Sequence, residues 1–224
     1  MSVNKDNYSK IIQDLVSKNI LLVAVSKTKP IEAIKQLHSL GQRDFGENYV
    51  QEMVDKYHEL PKDIRWHFIG HLQTNKVKYI APFVHLIQSV DSFKLLKEIN
   101  KQGQKFDRVL DVLLQVHVSK EETKFGLDEA EVDSILTTNF VALGELKNVR
   151  IVGLMGMDSF TKNKDEVSKE FHYLKTLYDQ FLTKQQANCQ LQILSMGMSD
   201  DYTIAIEEGS NLVRIGSLIF GQRN

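Results

Sequence analysis

A lysine that emerges from an apolar run is a place where an amine can become a nucleophile. In Leu21-Leu22-Val23-Ala24-Val25-Ser26-Lys27-Thr28-Lys29-Pro30, Lys27 shares strand parity with Val23 and Val25. Desolvation there disfavours the ammonium, and a neutral amine can attack a carbonyl to form a Schiff base. A solvated lysine with a snorkelling stem competes with that assignment, and Lys29, two residues on, leaves open which amine plays which part. A second polar set closes the run Asp44-Phe45-Gly46-Glu47-Asn48-Tyr49. Gly46 permits close backbone approach, and Asn48 offers a donor and an acceptor, although a turn-forming asparagine has the same signature. His67, inside Trp66–Gly70, is read as a hydrogen-bonded structural histidine, with no triad or metal spacing around it. In the charged stretch from Ser119 to Gly126, Lys124 is the member placed to turn inward, and Glu121 and Glu122 read as solvated.

The densest signal lies near the C-terminus. Leu194-Ser195-Met196-Gly197-Met198-Ser199-Asp200-Asp201 places two hydroxyls around a glycine, with Ser199 able to cap a following helix. Asp200 and Asp201 are wrong for phosphate contact and are expected to face away. Leu212-Val213-Arg214-Ile215-Gly216-Ser217 then sets an arginine inside an otherwise apolar strand, where a guanidinium requires a partner. Gly216 and Ser217 suit an anion through exposed amides and one hydroxyl, although a plain strand-to-helix turn explains the glycine equally well.

The elements that must carry these residues appear as an alternation. Strand candidates are 21–27, 44–48, 66–70, 86–90, 112–118, 151–157, 192–196 and 212–215. Amphipathic segments fall between them at 31–39, 49–60, 92–101, 127–137, 164–183 and 200–208, after an opening helix over 4–18. Asp128 with Glu131 predicts a capping box, and Gly209 a helix stop. Runs that are apolar on both faces, such as Leu21–Val25, suit parallel strands covered on each side. Eight such units without a linker predict a single-domain (β/α)8 TIM barrel over residues 1–224, with an open doubly wound sheet as the rival. In a barrel, chemistry gathers at the carboxyl ends of the strands, and phosphate often sits between the loops after strands seven and eight.

Composition removes several function classes. With 28 basic and 29 acidic residues among 224, no global field marks a nucleic-acid or membrane binder. One cysteine, Cys189, excludes an internal disulfide framework and fits a reducing compartment. The N-terminus lacks the apolar core of a secretory signal, and the run Ile20–Val25 is far short of the ~20 residues that cross a bilayer, so a cytoplasmic protein is expected. Balanced charge favours a monomer.

These segments together resemble the pyridoxal phosphate homeostasis proteins. The matching stretches are 24–30, 45–52, 66–70 with Leu72-Gln73 and Asn75-Lys76, 153–155, 194–201, and 213–217 with Ile219-Phe220-Gly221. The resemblance implies a barrel like the N-terminal domain of alanine racemase, with pyridoxal 5'-phosphate at its mouth. It assigns the aldimine to Lys27 rather than Lys29, and places Asn48 beside the ring and Arg214 against the pyridine nitrogen. It puts the phosphate near Ser195 or Ser199 and Gly216-Ser217. An arginine at that nitrogen leaves the ring a weak electron sink, whereas an aspartate would keep it protonated. Related racemases bring a catalytic tyrosine from a separate β domain, and here the sequence stops three residues past Gly221. The implied function is therefore a binding module that buffers pyridoxal phosphate or delivers it to apo-enzymes, without catalytic residues or a metal. A racemase-like pyridoxal enzyme is the alternative, and a class I aldolase using Lys27 is a third.

Overall fold

The computed structural model describes residues 3–118, 125–138, 140–159, 161–183 and 188–221. Lys124, with Glu121 and Glu122, lies outside them. Eight strands close in chain order into one parallel barrel, β1 (Leu21–Val25), β2 (Asp44–Glu47), β3 (Arg65–Phe68), β4 (Leu86–Val90), β5 (Leu110–Val116), β6 (Val149–Gly156), β7 (Cys189–Ser195) and β8 (Leu212–Ile215). The expected (β/α)8 architecture is the observed one, and the open-sheet rival fails because β8 pairs with β1, Val23 lying opposite Arg214.

Strand parity sorts the side chains into two apolar bodies. Val23, Leu86, Leu113, Val152, Met155 and Leu212 fill the barrel interior. The alternate residues, such as Leu22, Ala24, Phe45, Trp66, Ile87 and Val213, face the helical layer and join a much larger cluster. The helix Lys164–Leu182 contributes Phe171, Leu174 and Phe181 to it, all fully buried. Each such side chain stabilises the fold by about 2–3 kcal/mol. The opening helix Lys5–Ser17 packs on the short last helix Ser217–Phe220, its Asn7 amide donating to the Leu218 carbonyl at 2.8 Å.

Local rules held where their chemistry is self-contained. Asp128 and Glu131 form the capping box, and Gly209 takes φ +97° at the end of the helix Tyr202–Glu207. Boundaries differ where side-chain chemistry overrides periodicity. The first strand ends at Val25 because Ser26–Lys29 folds into a turn, closed by the Lys29 amide on the Ser26 carbonyl at 3.0 Å. The segment 127–137 is not one regular helix, since Glu129–Asp133 passes into a wider π-turn over Ser134–Thr138. Thr74–Ile80 holds a 3-10 turn and a short helix that periodicity did not predict, being too short to display a repeat. No helix among the described residues is long and apolar enough to cross a membrane.

Candidate functional site

At the carboxyl ends of the strands a cavity of about 790 Å³ opens, and six of the seven site residues expected from the sequence line it. Lys27, Asn48, Ser199, Arg214, Gly216 and Ser217 meet there. Ser195 is absent from the lining.

Lys27 follows Val25, which lines the same cavity one step outward from Val23, so alternation carries to the amine as expected. The turn bearing it is strained. Thr28 has φ 62°, a left-handed conformation that costs a β-branched residue about 1–2 kcal/mol. Its amide donates to Glu52 Oε1 at 2.6 Å, which compensates part of that cost. Glu52 in turn accepts from Lys56 Nζ at 2.7 Å, and the same Nζ donates to the Ser26 carbonyl and to Glu47 Oε1, each at 2.7 Å. Burial pushes Glu47 up to about 7, against the pull of Lys56 and the Ser26 hydroxyl. The lysine turn is thus clamped from behind by the helix Val50–Glu59. Lys29 is committed elsewhere. Its ammonium donates to the Phe220 and Gly221 carbonyls at 3.3 and 3.1 Å, tying the turn to the end of the last helix.

Asn48 sits just after β2, and Gly70 fixes its backbone, because a Cβ at Gly70 would lie 2.3 Å from the Asn48 carbonyl oxygen. Asn48 Oδ1 is buried and lacks a hydrogen-bond partner. A polar atom in that state costs about 1–3 kcal/mol, and the residue that carries it lines the cavity.

The two serines separate cleanly. Ser199 Oγ accepts from the Gly216 amide at 3.2 Å, joining the loops after β7 and β8 on the cavity wall. Ser195 is fully buried, donates to Gln88 Oε1 at 2.7 Å and accepts from Arg214 NH1 at 2.5 Å. Arg214 also donates from NH2 to the Gly156 carbonyl at 2.9 Å. Burial lowers its guanidinium to about 10, with Asp201 and Asp158 pulling upward, so it stays charged at neutral pH.

Asp200 and Asp201 do not face away. Both line the cavity, and Asp201 Oδ1 accepts the Met198 amide at 2.6 Å, shaping the loop after β7. The loop after β6 adds Asp158, Thr161, Lys162 and Lys164, which sequence reasoning missed because no local motif marks them. Lys27, Lys29, Lys162, Lys164 and Arg214 outnumber the three wall carboxylates, Asp158, Asp200 and Asp201, so the cavity favours an anion. His67 is structural as read, but its surroundings are richer than the sequence suggested. Donor atoms of Asp44, His67 and His85 lie within 4.8 Å of one another. Arg65 occupies both Asp44 oxygens, at 2.8 and 2.5 Å, which leaves that carboxylate engaged with a cation already.

A model of the alanine racemase N-terminal domain matches residues 4–224. The pyridoxal phosphate homeostasis protein of Aquifex aeolicus is 43% identical over 203 residues, which span 90% of this chain and 86% of that protein. This chain belongs to the pyridoxal phosphate homeostasis protein family. PipY of Synechococcus elongatus superimposes on this family member with a TM-score of 0.89 without PLP and 0.83 with PLP bound. The PLP-bound form is 33% identical and covers 95% of this chain and 99% of its own. The alanine racemase of Clostridium difficile, 16% identical with a TM-score of 0.74, covers 99% of this chain and 61% of its own, a likeness of fold alone. The homeostasis proteins thus share the racemase barrel, and the site described above lies where its strands end.

Proposed function

We propose that this protein binds pyridoxal 5'-phosphate at the mouth of its barrel and serves cofactor homeostasis, holding the cofactor in reserve and delivering it to apo-enzymes. The observation that carries this is the convergence of Lys27, Asn48, Arg214 and the Ser199–Ser217 loops on one anion-favouring cavity. Family membership and the PLP-bound PipY structure support the same assignment.

The residues fit the cofactor. A volume of about 790 Å³ lies within the roughly 300–1,000 Å³ of small-molecule sites. The unpartnered Asn48 Oδ1 is a buried acceptor in a residue that lines the cavity. When bound, pyridoxal phosphate supplies an aldehyde for covalent capture and a conjugated ring able to accept electrons. Lys27, the lysine that the family resemblance assigns, is the amine that holds the aldehyde from the cavity wall, and Lys29 ties the turn to the last helix. Asn48 orients the ring, and Arg214 donates to the pyridine nitrogen. Ser199 holds the phosphate through its hydroxyl proton and Ser217 through the start of the last turn, while the Gly216 amide fixes the Ser199 oxygen. Ser195, buried behind the wall, acts on Arg214 instead.

A donor-only guanidinium requires a lone pair on the ring nitrogen, so that nitrogen stays unprotonated and carbanion chemistry is weakly supported. The binding role is therefore favoured over amino-acid turnover. Loaded protein incubated with amino acids is expected to show no stereochemical exchange above the free-cofactor background. Mixed with an apo-enzyme in the presence of a scavenger for free cofactor, it is expected to restore activity by direct transfer. Robust racemisation would replace the binding role with an enzymatic one, and loss of transfer to the scavenger would reduce delivery to simple buffering.

A further inference from the structure

The interiors of (β/α)8 barrels are ordinarily filled by layers of branched apolar side chains, yet a polar chain crosses this one. Asp44 on β2, His67 on β3, Gln88 on β4, Ser195 on β7 and Arg214 on β8 are each at most 3% exposed. They connect in sequence. Asp44 Oδ1 meets His67 Nε2 at 3.0 Å, His67 Nδ1 meets Gln88 Nε2 at 3.1 Å, Gln88 Oε1 meets Ser195 Oγ at 2.7 Å, and Ser195 Oγ meets Arg214 NH1 at 2.5 Å. At the outer end Arg65 grips both Asp44 oxygens.

The ends fix every proton in between. A guanidinium only donates, so Ser195 Oγ accepts from Arg214 and its one proton goes to Gln88 Oε1. The Gln88 amide nitrogen then faces His67 Nδ1 as a donor, which makes Nδ1 a lone pair and places the His67 proton on Nε2 toward Asp44. An ionised carboxylate only accepts, and Asp44 ends the chain. All four links donate in one direction, from the cavity towards the opposite end of the barrel. A buried network with one complete solution rigidifies its members, whereas an apolar filling of the same volume would serve stability as well or better. Stability alone does not explain five polar residues there.

We infer that Asp44, His67, Gln88 and Ser195 are positioning residues that hold the Arg214 guanidinium in the orientation that meets the cofactor's ring nitrogen. Two of the five guanidinium donors are committed to Ser195 and Gly156, and Arg214 is among the residues that line the cavity. The inference rests on the assignment of Arg214 to that nitrogen.

A double-mutant cycle between Gln88 and Arg214 tests it in the full-length protein. Pyridoxal phosphate is titrated into wild type, Gln88→Leu, Arg214→Gln and the double variant, following both affinity and the absorption band of the bound cofactor. Gln88→Leu cuts the chain at its centre without leaving a charge. Its expected effect is a roughly tenfold loss of affinity with an altered band, and no further loss in the Arg214→Gln background. Ser195→Ala substitutes in the same cycle if Gln88→Leu does not fold. Additive effects, or a Gln88→Leu protein that binds and absorbs like wild type while Arg214→Gln is impaired, would overturn the inference alone. An Arg214→Gln protein indistinguishable from wild type would overturn the ring-nitrogen contact, and the inference with it.

Discussion

Residue by residue, the site separates amines and hydroxyls that look interchangeable in sequence. Lys27 and Lys29 differ by two positions and both line the cavity, but the turn at Ser26–Lys29 ties the Lys29 ammonium to the Phe220 and Gly221 carbonyls. Ser199 bridges the loops after β7 and β8, while Ser195 accepts from Arg214. Asp44 has a measurable consequence of its own. Burial would raise its carboxyl, but the Arg65 fork and His67 outweigh burial and hold it at about 2. A folded-state value below the unfolded one contributes stability above pH ~4 that is lost as pH falls towards 2. The shift corresponds to about 2 kcal/mol. Denaturant unfolding at pH 6 and pH 3 is expected to show about 1 kcal/mol, roughly half of that loss, as the change in the difference between wild type and Asp44→Asn. An unchanged pH dependence in Asp44→Asn would exclude the Asp44 origin.

Among the elements, short strands and the turns after them do the positioning. The Val50–Glu59 helix clamps the lysine turn through Glu52 and Lys56, and Thr28 is held left-handed as a result. Gly70 has the parallel task for β2, where its missing side chain lets the chain press on Asn48. Gly70→Ala is expected to cost about 3 kcal/mol in chemical denaturation and to weaken pyridoxal phosphate binding together, because the clash falls on the backbone of Asn48, which lines the cavity. A variant with wild-type affinity would show that Asn48 does not depend on that contact.

For the whole molecule, the barrel was legible because parity and alternation report strand faces directly. Val23, Val25 and Lys27 lie on one side as their spacing requires, and Arg214 stood out as a charge within an apolar run. The same criterion applied to Gln88, within Leu86–Val90, points to the polar chain, but its partner Ser195 lies 107 residues away and no local pattern links them. The loop after β6 carries no local mark for a related reason. Lys162 and Lys164 look like any solvated loop until closure of the barrel brings them to the mouth. Long-range pairing, rather than propensity, is what the sequence leaves unread.

The most direct measurement is borohydride reduction of the pyridoxal phosphate-loaded protein followed by peptide mapping. The expected result is a single added cofactor mass on the Lys27 peptide, absent from a folded Lys27→Ala variant. Cofactor fixed instead on Lys29, or retained at full occupancy by Lys27→Ala, would contradict the account.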